Sequence, residues 1–308
     1  MMANLAWIIL FAAAAAALKT KETRSAKEAE IQAKLVQDRA KEPQVYSGKY
    51  QGDIDVSQMK IDVEAGSFRN GIKYKQMRWP NGIVPYRLHG YGPEHEQIIT
   101  TAFADLERQV NALGYCISLT PQRDEANYVL IMPGNGCFSP VGMVGGQQMA
   151  SLGWTCLQNG IVQHEMLHTF GFWHEMSRPD RDQYIDVHWE NMDPRAASNF
   201  RIETQNMDLL GTRYDYASIM HYGATAASMN GYPTMVPRDP NAKIGLLDLS
   251  PTDIQRVRTL YDCQPYTGDS SAVCVDRSPH CKDWADIGGC EQNPSYMLES
   301  CQKACGVC

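Results

Sequence analysis

The first 115 residues contain no cysteine; all ten cysteines follow, four from Cys116 to Cys263 and six from Cys274 to Cys308. No Lys/Arg-rich run interrupts the 308 residues, and the formal net charge is -7. Nucleic acid and anionic membrane surfaces need a concentrated basic face, so both are excluded as partners. No Asn-x-Ser/Thr acceptor is present, because Asn293 is followed by Pro294, and N-glycosylation is not expected. Internal repeats are also missing. With 44% hydrophobic and 20% charged residues, the chain has ordinary globular composition, which excludes a largely disordered or fibrous protein.

Leu5 to Leu18 is an uninterrupted apolar run ending in alanines. It has the form of a secretory leader, with cleavage near Ala15 to Ala17. No Lys or Arg precedes it, so only the amino terminus supplies the flanking positive charge. The other reading is a membrane anchor, which needs about 20 apolar residues. The polar stretch from Lys19 onward cuts the run short, so no membrane span is expected. In a chain that enters the secretory pathway, two even cysteine groups read as disulfide frameworks. The expected location is therefore secreted and extracellular.

Thr20 to Lys41 holds good helix formers but too few apolar residues for a core of its own. From Trp79 the pattern is mixed helix and strand. Strands are predicted at Ile83 to Leu88, Tyr128 to Met132 and Gln147 to Leu152. A helix from Glu94 to Leu113 has Pro93 at its start, and its apolar positions Ile98, Ile99, Ala102, Phe103 and Leu106 lie on one face. A second helix from Asn159 to Phe170 stops at Gly171, a residue suited to a left-handed cap. Tyr184 to Asp248, rich in Gly, Pro, Asn and Asp, reads as mostly irregular, before a last helix from Pro251 to Tyr261.

Residues 164 to 175 read His-Glu-Met-Leu-His-Thr-Phe-Gly-Phe-Trp-His-Glu. On a helix His164 and His168 lie one turn apart on one face, so both imidazoles can meet one cation. Gly171 then turns the chain and lets His174 approach from another direction. Three neutral imidazoles with one open position suit a catalytic Zn2+ ion. Glu165, beside the first ligand, would act as general base toward water. A His-Glu-x-x-His taken alone can arise by chance or pack in a core, and a distant glutamate could serve as third ligand; the added Gly171 and His174 argue against both.

This block resembles the metzincin signature, and its continuation from Phe172 to Asp182 is similar to astacins in particular. Ser218, Ile219, Met220, His221 and Tyr222 resemble that family's Met-turn. The resemblance implies an α+β fold: a two-lobed metzincin catalytic domain with a mixed sheet and an active-site helix. It implies zinc-dependent endopeptidase activity on proteins and peptides. Met220 would lie beneath the metal as a structural residue, and Tyr222 would be an added zinc ligand that swings away to stabilise the oxyanion. His221 is read as packing.

Tyr50-Gln51-Gly52-Asp53-Ile54 is similar to the astacin prosegment motif, whose aspartate occupies the zinc, so Asp53 is a latency switch by that resemblance. Activation by a trypsin-like protease is expected after Arg69. The new amino terminus at Asn70 would then pair with Glu175. The resemblance further implies bridges Cys116 to Cys263 and Cys137 to Cys156. Substrate is expected to pair with the strand Gln147 to Leu152. Pro233 to Arg238 resembles the segment lining the first primed pocket, so Arg238 would favour an acidic residue after the scissile bond; a solvated surface arginine is the other reading.

The last six cysteines have the spacing of the ShK-toxin-like (ShKT) module, a small disulfide-rich domain. Spacing alone permits 15 pairings; the resemblance implies Cys274 to Cys308, Cys281 to Cys301 and Cys290 to Cys305. Ser295 precedes Tyr296, where channel-blocking members carry a lysine, so an anchoring or protein-interaction role is favoured and no partner is identified. The expected organisation is a signal peptide at 1–17, a propeptide at 18–69, a catalytic domain at 70–263, a linker at 264–273 and an ShKT domain at 274–308. The competing class is a binding or toxin-like protein built on an inactive protease scaffold, which the intact Glu165 argues against.

Overall fold

A computed structural model describes residues 29–33, 36–37, 40, 42–57, 75–202, 208–263, 276, 278, 280–292, 297, 301 and 303–306. The apolar leader, the activation site at Arg69 and Asn70, the linker 264–273 and the pair Cys274 with Cys308 lie outside the described residues. No helix among the described residues is long and apolar enough to cross a membrane.

The first lobe is a five-stranded sheet in the order β2-β1-β3-β5-β4: β1 (Ile83–Leu88), β2 (Ser118–Pro121), β3 (Tyr128–Met132), β4 (Cys137–Phe138) and β5 (Gln147–Leu152). Four strands run parallel, and the short β4 is antiparallel to β5. In β3 the alternation is visible side chain by side chain, because Val129 and Ile131 are fully buried while their neighbours are not. Helix α1 (Pro93–Val110) starts with Pro93 in its first turn and buries Ile99, Ala102, Phe103, Leu106 and Val110. That spacing lays one face on the sheet. The predicted helix end at Leu113 becomes a separate 3-10 turn, Asn111–Leu113.

Helix α2 (Asn159–Phe170) is buried on every side from Gly160 to Phe170. Such a helix sits between layers rather than on one. It ends where Gly171 adopts φ 112°, with its N–H donating to His168 and Leu167 carbonyls. The first lobe's core gathers residues of α1, the sheet and α2, with the two helices packed against each other, and reaches Met220. Trp79 donates its indole N–H to the Thr169 carbonyl at 2.9 Å, tying the entry of the lobe to the end of α2.

Beyond Gly171 regular structure is sparse, as expected. The second lobe contains short 3-10 turns, the two-stranded pair β6 (Ile185–Val187) and β7 (Met235–Pro237), and helix α3 (Pro251–Leu260). Its core gathers Met176, Ile185, Met192, Phe200, Tyr214, Tyr222 and Met235, joined by Val45 from the segment before the first lobe. The bridges Cys116–Cys263 and Cys137–Cys156 are formed. So are Cys281–Cys301 and Cys290–Cys305, in the small module that carries α4 (Cys281–Asp286) and α5 (Gly289–Gln292). Arg123 of the first lobe meets Asp283 of this module at 3.5 Å.

Candidate metal centre

Helix α2 sets His164 and His168 on one face, and the turn at Gly171 returns the chain so that His174 faces them. Each ring is oriented through Nδ1: His164 by the Ile219 carbonyl at 2.8 Å, His168 by the Phe172 carbonyl at 2.7 Å, and His174 by the Gln51 side-chain oxygen at 3.0 Å. A donor fixed at one ring nitrogen presents the other to a metal. The three Nε2 atoms converge on the Asp53 carboxylate. Asp53 Oδ2 lies 3.3 Å from His164, and Oδ1 lies 3.4 Å from His168 and 3.2 Å from His174. These four side chains form a fully buried group able to hold one ion.

The spacing tests the fit. Ligands about 2.0 Å from a tetrahedral zinc stand about 3.3 Å from one another. Each Nε2 lies 3.2 to 3.4 Å from one or the other Asp53 oxygen, and His164 Nε2 lies 3.3 Å from His174 Nε2, separations of the size such a site needs. Asp53 Oδ1 and His168 Nε2 are buried without a hydrogen-bond partner, a cost that a cation between them would remove. Burial lowers the pKa of His174 to about 4 and that of His168 in the same direction. Burial thus favours the neutral form of His168 and His174, the form that donates to a metal. Burial opposes the Asp53 carboxylate, but the imidazoles of His174, His168 and His164 outweigh it and hold its pKa well below the usual range.

Glu165 is fully buried beside this group, and neither of its carboxylate oxygens has a hydrogen-bond partner. Burial first, and the Asp53 charge second, push its pKa well above the usual value. The Tyr222 hydroxyl donates to the Gln51 carbonyl and lies 3.4 Å from Asp53 Oδ2, with its ring 4.6 Å from that of His174. Its phenol is thus engaged by the motif that carries Asp53. Gly52, at φ 94°, lets that motif pass: a Cβ there would stand 2.6 Å from the Tyr222 hydroxyl and 2.9 Å from the Val45 carbonyl.

Met220 packs at the edge of the first lobe's core, and its carbonyl accepts from Glu175 N–H. His221 is buried, with its ring between the Tyr214 hydroxyl and the Tyr222 carbonyl. Glu175 already has partners: Arg256 donates to both oxygens at 2.6 and 2.9 Å, Asp215 N–H donates at 2.7 Å, and Arg178 stands at 3.5 Å. Arg238 is half-exposed and paired with Asp186 at 2.7 Å across β6 and β7.

The strand expected to receive substrate is covered at one end. β5 is not the outer strand, because β4 covers its Ser151 and Leu152 end. The segment carrying Asp53 instead pairs with Ser139, just after β4, through Asp55 N–H to Ser139 O and Ser139 N–H to Asp53 O. Three residues that shape the site carry no role in the sequence reading, Glu42, Asp253 and Arg256, while Gln51 appears there only as part of the motif around Asp53. Only Asp253 carried a signal, the Ser250-x-x-Asp253 capping box at the start of α3. Its carboxylate also takes Ser218 Oγ at 2.6 Å and Ile219 N–H at 2.9 Å, anchoring the turn whose Ile219 carbonyl orients His164.

Residues 71–262 match the family model Astacin (Peptidase family M12A), and residues 273–308 match ShK domain-like. The chain is 38% identical to zinc metalloproteinase nas-6 of Caenorhabditis elegans over 76% of this chain and 69% of that protein. It is 35% identical to nas-15 of the same organism, of which it spans only 49%. Among solved structures, high choriolytic enzyme 1, a hatching enzyme zinc-protease from Oryzias latipes, aligns with a TM-score of 0.55 and 34% identity over 67% of this chain and 99% of that one.

Proposed function

The chain belongs to the astacin family of zinc metallopeptidases, and on that premise we propose that it is a secreted endopeptidase made as a latent precursor. The observation that carries this reading is the set of four donors, three histidines and Asp53, at tetrahedral zinc separations. The propeptide at 18–69 contributes the fourth donor and the catalytic domain at 70–263 the other three, so one ion cannot keep Asp53 and admit substrate.

When bound, zinc supplies Lewis acidity and brings the pKa of water toward neutrality. His164, His168 and His174 hold it. Glu165, buried and without a hydrogen-bond partner, takes the proton of the attacking water and passes it to the leaving amine. Tyr222, once released from the Gln51 carbonyl, offers its phenol as donor to the developing oxyanion. Its position beside His174 also suits an added ligand in the resting enzyme. Asp53 keeps water and substrate out until a trypsin-like protease cuts after Arg69. The new ammonium group at Asn70 would then join the Glu175 and Arg256 cluster rather than be its founding partner.

Cleavage of a peptide library by protein cut after Arg69, with Glu165→Gln as control, tests the assignment. Wild type should cut, and the control should be slower by at least about a hundredfold. A silent wild type, or a control at full rate, would show the mechanism to be wrong.

A further inference from the structure

Asp53 is one of two prosegment carboxylates placed against Tyr222; the other is Glu42. The 3-10 turn Pro43–Tyr46 begins after Glu42, yet the Glu42 side chain does not cap it. It reaches across to the second lobe and accepts the backbone N–H of Gly223 at 2.5 Å. Gly223 follows Tyr222 directly, so the contact grips the chain at the base of the tyrosine whose hydroxyl the Gln51 carbonyl already holds.

The receiving surface is shaped for a carboxylate. A Cβ on Gly223 would stand 2.8 Å from both Glu42 oxygens, and one on Gly245 would stand 2.4 Å from the Gly223 Cα and 3.6 Å from Glu42 Oε1. Two bare glycine backbones therefore form the walls, and a side chain at Gly223 would close the space. Three residues into the same turn Val45 is buried in the second lobe's core, and the next residue, Tyr46, accepts the N–H of Ala227 at 3.1 Å. Residues 42–46 thus read residues 223–227 through two backbone donors four residues apart.

We propose that Gly223 and Gly245 form a carboxylate-binding site that Glu42 fills in the precursor, as a second latency contact separate from the metal. The inference rests on the reading of 18–69 as a prosegment, but not on Asp53 being a zinc ligand. Asp53 controls the ion. Glu42 controls the backbone that carries Tyr222, and a charge-assisted hydrogen bond to a half-buried amide is strong enough to matter.

Amide hydrogen exchange on the full-length, zinc-loaded precursor, carrying Glu165→Gln so that it cannot process itself, tests this. Glu42→Ala should speed exchange at Gly223 by about tenfold or more, with Glu42→Gln between it and the parent. Asp53→Asn should leave Gly223 slow while lowering zinc retention. Unchanged exchange at Gly223 in Glu42→Ala would overturn the site. Unchanged zinc retention in Asp53→Asn would instead count against the latency reading of Asp53 and leave the Glu42 result standing.

Discussion

The two lobes that meet at the histidines are held together in different ways. The first is a conventional apolar core: Val84, Ile99, Leu106, Val129 and Ile131 are buried between α1 and a twisted sheet. The second has little regular structure, and buried charge stands where ladders would otherwise be: Glu175, Arg178, Arg181, Asp253 and Arg256 are all nearly inaccessible. Their donors are shared between side chains, mostly carboxylates, and carbonyls of irregular chain, as Arg181 donates to Asp182 and to the Met176 and Phe200 carbonyls at 2.9 and 2.7 Å. Guanidinium groups do for the loops what strand pairing does for the sheet. The second lobe also takes Val45 from the segment that carries Asp53; on the proposed reading of 18–69 as a propeptide, its removal would change this lobe's core and leave the first lobe's core intact.

The largest effect should come from breaking the charged lobe at its centre. Arg256→Ala leaves Glu175 buried with its main countercharge gone, which should cost about 3 to 5 kcal/mol in urea unfolding. A loss below about 1 kcal/mol would mean that water or Arg178 replaces the missing guanidinium, and the contrast between lobes would weaken.

In the first lobe the comparable break is covalent. Cys137–Cys156 ties β4 to the turn before α2, and the Ser47 hydroxyl donates to the Cys137 carbonyl and accepts the Cys137 N–H. Replacing both cysteines by serine should cost about 2 to 4 kcal/mol, read as a lowered unfolding midpoint. If the segment carrying Asp53 is a prosegment, the same variant should also be activated faster by trypsin, because β4 leads into that segment's partner Ser139.

One buried charge also sits in the apolar lobe. Glu107 on α1 accepts from Leu119 N–H and Ser118 Oγ, and burial, only partly opposed by those bonds, raises its pKa to about 7. The folded pKa is above the unfolded one, so this group's contribution is complete at low pH. It falls as pH rises from about 4.5 to about 7, by at most about 1.4 kcal/mol per pH unit. Glu107→Gln should remove that slope and leave the precursor more stable than the parent at pH 8, as urea titrations across this range would read. An unchanged slope would assign the dependence to other groups.

The same contrast decides what the sequence could reveal. β1, β3, β5 and α2 were legible with their boundaries, because period-2 alternation, turn glycines and a capped helix are local patterns. The convergence of His164, His168 and His174 was legible because the motif fits on one helix and one turn. The partners of the second lobe were not. Arg256 reaches Glu175 across 81 residues, and Glu42 reaches Gly223 across 181, and no local periodicity marks such contacts. β4 is two residues long, too short to show alternation, so the sequence carries no sign of a strand beyond β5.

The smallest expected effect on stability falls on the second lobe's surface. Arg238 and Asp186 are each about half exposed, so their pair should contribute about 0.2 to 1 kcal/mol, and neither Arg238→Ala nor Asp186→Ala should shift unfolding by more. Specificity separates the two variants. If the Arg238 guanidinium recognises an acidic residue after the scissile bond, Asp186 competes for it. Asp186→Ala should then raise the acidic preference of the activated enzyme severalfold in a peptide library, and Arg238→Ala should remove it. Equal profiles in wild type and both variants would make this pair a plain clasp between β6 and β7, and would restrict the functional use of charge in the second lobe to its buried cluster.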